Sequence, residues 1–166
     1  MTETTDRFAL PLLQPGQAQK EMFHNDALAA LDLLVQPTVE TIGLETPPTA
    51  PESGQCWIVG DSPVGAWAGK AGQLAGWSAA GWRFAVPREG TAAWVIADAL
   101  TARYRDGGWT LGEETAAHLA IGGDAVVGAR QAAIAAPSGG ATVDAESRTA
   151  IAAMLGALRA HGLIAS

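Results

Sequence analysis

Hydrophobic spacing changes character several times along the chain. From Phe8, "FALPLLQPGQAQKEMFH" is apolar in patches but interrupted by Pro11, Pro15 and Gly16, and such breakers predict an ordered loop laid on another surface rather than a helix. From Asn25, a suitable helix cap, Leu28, Leu31, Leu34 and Val35 recur at three- and four-residue spacing. A helix with one apolar face is therefore expected until Pro37 stops it. "ETPPTAPESG", Glu45 to Gly54, reads as an extended connector and a boundary, because each proline pushes its predecessor away from helix. Beyond it, "QCWIVG" is a short β-rich run between glycines, and from Gly60 to Gly112 turn residues recur between runs such as "WRFAV" and "AWVIAD". That texture predicts a small antiparallel domain of hairpins.

The remainder is weaker in pattern. "EETAAHLA" suggests a short helical turn, and the Gly- and Ala-rich stretch up to Thr142 reads as a linker or one further strand. At the end, Asp144 or Thr142 can cap a helix whose Ile151, Met154, Leu155 and Leu158 line one side, with Gly162 as its left-handed stop. Such a narrow stripe on an Ala-rich helix needs a partner surface. The expected class is α+β. Its expected parts are an anchoring loop and helix (1–44), a Pro-rich linker (45–54), a Trp-rich β domain (55–112), an irregular linker (113–141) and a C-terminal helix for oligomerisation or docking (142–166).

All six tryptophans (57, 67, 77, 82, 94 and 109) lie in the β segment. With Asp106-Gly107 at the centre of a two-residue turn, Tyr104 faces Trp109 in a pair where side chains approach closely; the same register about Ala79-Ala80 sets Trp77 opposite Trp82. Rings in so small a domain serve as its core or as platforms for sugars and partners. Trp94 shares a face with Ile96 and is expected in the core. Trp67, in the loop "VGAWAGKAG", is the ring most expected to be exposed. Trp67, Trp77, Trp82, Tyr104 and Trp109 form the candidate carbohydrate- or partner-binding set, and Leu28, Leu31, Ile151, Met154, Leu155 and Leu158 the candidate oligomer interface.

Composition narrows the function classes. The net charge is −7, which argues against nucleic acid as a partner, since phosphate binding needs clustered Lys and Arg. Residues 56–112 nevertheless hold five bases against four acids, so an acidic polymer is not repelled there. No stretch offers about 20 consecutive apolar residues for membrane insertion. "MTETTDRFALPLL" carries no signal-peptide pattern. Cys56 is the only cysteine, and nothing beside it marks a nucleophile; His24, His118 and His161 lack metal-ligand spacing. "GAWAGK" fails as a phosphate loop, because only three residues separate its glycines and Ala71 stands where magnesium needs a hydroxyl. No catalytic residue, metal or cofactor is expected.

The segments "LPLLQPGQAQKEMFHNDALAALDLLVQPTV", "GQCWIVG", "GAWAGKAGQLAGW" and "VPREG" resemble a domain family of unknown function found in alphaproteobacterial prophage and gene-transfer-agent proteins. The ending is similar to those of short tail- or head-fibre proteins in the same kind of gene cluster. The resemblance implies a virion structural subunit, a tail fibre or head spike that is assembled in the bacterial cytoplasm and helps the particle attach to host capsule or surface polysaccharide. The expected partners are copies of itself, as a homotrimer in which the Ala-rich helices associate, and other fibre, spike or baseplate proteins. Two alternatives stand beside it: a free carbohydrate-binding module and a polysaccharide hydrolase.

Overall fold

A computed structural model describes residues 3–14, 20–142 and 144–165. They form two compact units, Met1–Glu114 and Thr115–Ser166. Helix α1 spans Lys20–Leu34 in the first unit, followed by strands β1 (Thr38–Val39), β2 (Ile42–Leu44), β3 (Cys56–Val59), β4 (Leu74–Ser78), β5 (Gly81–Ala85), β6 (Ala92–Val95), β7 (Leu100–Arg105) and β8 (Gly108–Leu111). They make two four-stranded sheets, ordered β1-β6-β7-β8 and β2-β3-β4-β5. Most pairings are antiparallel, but β1 pairs with β6, and β2 with β3, in parallel. The segment expected to be only an anchoring loop and helix thus supplies a strand to each sheet. Residues 45–54, expected as a connector, run between two paired strands of one sheet rather than between domains.

Two apolar clusters hold this unit. Leu33 of α1, Cys56, Ile58 and Leu74 of one sheet, and Val39, Ala93, Val95 and Ala102 of the other form the first. Trp57, Val59, Trp67 and Ala75 form the second. Strand β3 alternates between them, so all four of its residues are buried. A strand covered on both faces reads as an unbroken apolar run, which accounts for "CWIV". Gly60 is required where β3 ends, because a Cβ there would stand 2.5 Å from the Gly43 carbonyl oxygen.

The hairpin registers follow the turn chemistry. Tyr104 faces Trp109 and Arg105 faces Gly108 around Asp106 (φ 50°) and Gly107 (φ 81°), the left-handed pair a primed two-residue turn needs. Trp77 faces Trp82 and Ser78 faces Gly81. Asn25, expected as a helix cap, lies inside α1, where its side chain accepts a hydrogen bond from the Leu13 N–H (2.9 Å) and donates one to the Leu13 carbonyl (3.0 Å). Of the stretch expected as a loop, Lys20 to His24 instead form the start of α1, and the part around Pro15 and Gly16 lies outside the described residues.

The N-terminal strap is fastened to the end of α1. Buried Asp32 accepts hydrogen bonds from Thr5 Oγ1 (2.8 Å), Arg7 N–H (2.9 Å) and Phe8 N–H (2.8 Å). The Arg7 guanidinium in turn donates to the carbonyls of Asp32, Val35 and Gln36. It thereby satisfies acceptors that the helix end leaves open.

The second unit contains strands β9 (Leu119–Ile121) and β10 (Asp124–Val127), which form a two-stranded hairpin, and helix α2 (Ala145–Ala160). The helical turn expected at "EETAAHLA" is absent; its end belongs to β9, which turns back through Gly122 (φ 62°) and Gly123 (φ 96°). Asp144 caps α2, accepting from the Ser147 N–H at 2.8 Å. Gly162 at φ 71° and a Leu163 N–H to Leu158 carbonyl bond of 3.0 Å close it, the expected left-handed stop.

Candidate functional site

The outer face of the β2-β3-β4-β5 sheet gathers four indoles. Trp82 lies at its centre, with ring centroids 5.5 Å from Trp57, 5.0 Å from Trp67 and 5.0 Å from Trp77, all edge-on. Offset and edge-to-face contacts are the arrangement the ring quadrupole favours, each contributing about 0.5–1.5 kcal/mol beyond area burial. Trp67, expected to be the exposed ring, is fully buried. The short 3-10 turn Gly65–Trp67 folds it over Trp57, and its indole N–H has no acceptor among the described residues. Glycine-rich loop context says nothing of such a long-range contact. Trp77 and Trp82 are half-buried.

Tyr104 and Trp109 lie on the other sheet, with centroids 5.4 Å apart. Trp109 packs against the first core cluster, and its Nε1–H donates to the Gly72 carbonyl at 2.8 Å. Trp109 therefore ties its sheet to the loop before β4, with Tyr104 edge-on against it, and the five rings of the candidate binding set do not converge on one surface.

Trp94, expected in the core, is 46% exposed. Alternation in "AAWV" does place Trp94 and Ile96 on one face, but the buried face is that of Ala93 and Val95. The register sets Thr38 of β1 and Thr101 of β7 directly beside Trp94 on its open face. The next row of the same face holds Ala92, Arg103 and Thr110. Arg103 Nε bonds Glu114 at 2.6 Å, so this face carries hydroxyls and a paired guanidinium around one uncovered indole. The signal for it was present in the pairing pattern, which fixes neighbours without saying which face meets the core.

A cleft of about 440 Å³ opens where the strap, α1 and the β4-β5 hairpin meet. Gly76 and Cys56 form its floor, and Asp6, Asn25, Asp32 and Arg83 stand around it. Gly76 leaves room for the helix, since a Cβ there would meet Leu33 Cδ1 at 3.0 Å. Trp77 also lines the cleft, but its ring packs edge-on against Trp82 beside the second cluster. Desolvation at the wall, then the nearby Asp32 charge, raises the Asp6 pKa, against the pull of Arg83. Burial pushes the Cys56 thiol up to about 11. A thiol so protonated at neutral pH makes a poor nucleophile. Among the described residues no group of three His, Cys, Asp or Glu is placed to hold a metal ion, and no helix is long and apolar enough to cross a membrane.

The candidate oligomer residues divide. Leu155 is buried within its unit, Leu28 and Leu158 are half-buried, and Leu31 (51%), Ile151 and Met154 (59%) are exposed. A family model described as a protein of unknown function (DUF2793) matches residues 24–110. The chain belongs to the DUF2793 family. No curated protein matches it. The DUF2793 segment runs from within α1 to within β8 and so takes in both sheets, whereas the unit carrying β9, β10 and α2 lies outside it.

Proposed function

We propose that this chain is a non-enzymatic structural and adhesive subunit of a phage-like particle, a tail fibre or head spike. Its C-terminal unit joins copies of the chain, as a homotrimer, and its DUF2793 unit contributes contacts to bacterial surface polysaccharide. The observation that carries the assembly part is the second unit's missing core. Among its described residues only Leu155 and Ile164 are buried apolar side chains, while Leu119, Ile121, Val126, Ile134, Met154 and Leu163 stand exposed. An isolated two-stranded hairpin is marginal in water, and a unit of this size needs a staple or a partner. Copies of the same chain supply that partner at no cost in specificity, since each brings the same apolar strands and helix.

The particle setting draws its support from the sequence resemblance to prophage and gene-transfer-agent proteins. Sedimentation equilibrium of the full chain tests the assembly: a trimer at micromolar concentration is expected, and a monomer at all concentrations would remove the reading. Imaging particles with and without the protein, together with their adsorption to host cells, tests the setting. A second reading, a carbohydrate-binding module working alone, is favoured by the uncovered Trp94 and differs in requiring a monomer that binds saccharide.

A further inference from the structure

The geometry points to the open face of β1-β6-β7, centred on Trp94 and flanked by Thr38 and Thr101, as a platform on which one pyranose ring of an extended surface polysaccharide stacks. The polysaccharide as ligand class rests on the attachment reading; the location rests on the structure alone. Trp94 is the most exposed indole of the chain's described surface, at 46%, while Trp57 and Trp67 are at 4% and 0%. A tryptophan can bury about 150–250 Å², yet here strand position 94 faces outward and a threonine would serve the strand as well. Ala93 and Val95 already fill the inner face.

The surroundings discriminate among occupants. An anchor at a protein interface is typically enclosed by further apolar contacts that exclude water. Here the lateral neighbours in the register are Thr38 and Thr101, and Arg103 and Thr110 occupy the adjoining row. Ile96, 49% exposed, extends the apolar strip only along β6. Strands lie about 4.8 Å apart, so a hydroxyl stands roughly one strand spacing from the indole on either side. That places donors and acceptors at the rim of a six-membered ring whose C–H face covers Trp94. Nucleic acid also stacks on indoles, but its phosphates call for clustered cations, and the one guanidinium of this row is held by Glu114. An open sheet face suits an extended glycan better than a single enclosed sugar.

The test is a titration of the full chain, labelled at its indole nitrogens, with four soluble probes: maltohexaose, cellohexaose, chitohexaose and a lipopolysaccharide O-chain. Trp94→Phe identifies the Trp94 signal among the six. With at least one probe this signal is expected to shift saturably at millimolar concentration or below, while those of Trp57 and Trp67 stay in place. Trp94→Ala then weakens that probe about tenfold, and Thr101→Val about threefold. No saturable shift with any probe overturns the inference, as does an affinity for that probe, measured by calorimetry, that is unchanged in Trp94→Ala. A Trp94 signal that moves with protein concentration alone also overturns it, and assigns the face to contact between copies. Sedimentation of the same samples separates the two proposals. A monomer that binds saccharide through Trp94 removes the assembly reading and keeps this one, whereas a trimer without a saccharide response removes only this one.

Discussion

The two units of this chain reach order by different means. In Met1–Glu114 a strand buried on both faces, two sheets and a fastened helix enclose two apolar clusters. In Thr115–Ser166 a capped helix and a glycine-turned hairpin have local geometry of equal quality, yet only Leu155 and Ile164 are buried apolar residues among those described. Capping and turn chemistry each contribute about 1 kcal/mol. Ordering a residue costs about as much or more, so local signals specify the second unit's shape without stabilising it. The most direct way to break this comparison is to separate the halves. Residues 1–114 alone are expected to unfold cooperatively in urea, and residues 115–166 alone to show no transition at micromolar concentration. A cooperative melt of the second piece as a monomer would refute the contrast.

Within the first unit the largest single effect belongs to Trp67→Ala, which empties a fully buried position against Trp57 and Trp82. A loss of about 3–5 kcal/mol is expected in urea unfolding. Trp94→Ala is expected to cost under about 1 kcal/mol, as for other surface positions. Equal losses at the two sites would mean that the burial assigned to them is wrong. Asp32→Ala comes next. It removes the acceptor for Thr5 Oγ1 and for the N–H groups of Arg7 and Phe8, and unsatisfied buried donors cost about 1–3 kcal/mol each when water does not reach them. A net loss of about 2–3 kcal/mol is expected, with rapid amide exchange at Arg7 and Phe8; protected amides there would show that the strap is held by other means.

The contrast also explains what sequence made legible. The Tyr104–Trp109 register was readable from Asp106-Gly107, because turn chemistry acts over four residues, and the Trp77–Trp82 register from the same spacing about Ala79-Ala80. Helix α2, its Asp144 cap and its Gly162 stop were readable for the same reason. Strands β1 and β2, two and three residues long, carry no periodicity, and their parallel partners β6 and β3 lie far along the chain. The two tryptophans whose exposure was inverted show the limit best. Trp67 is buried by a fold-back that no local pattern encodes, and Trp94 is exposed because the smaller residues Ala93 and Val95 meet the core. Alternation gave the pairing of faces, but choosing the inner one required the second sheet.

The smallest effect lies where the second unit depends most on local chemistry. Asp144 accepts from both the Ser147 N–H and the Ser147 hydroxyl, each at 2.8 Å, and these bonds lower its pKa below the ordinary 3.8. A carboxylate whose folded pKa is depressed contributes its stabilisation above the unfolded value and loses it as pH falls through the folded one. The helical signal at 222 nm is therefore expected to hold from neutral pH down to about pH 4 and to decline below it as the cap protonates. Asp144→Asn keeps an equally good capping side chain that does not titrate, so the difference between the two chains isolates α2 from the other acid-sensitive groups. If both chains lose ellipticity identically below pH 4, the cap does not govern α2, and contacts with a partner surface must hold the helix instead.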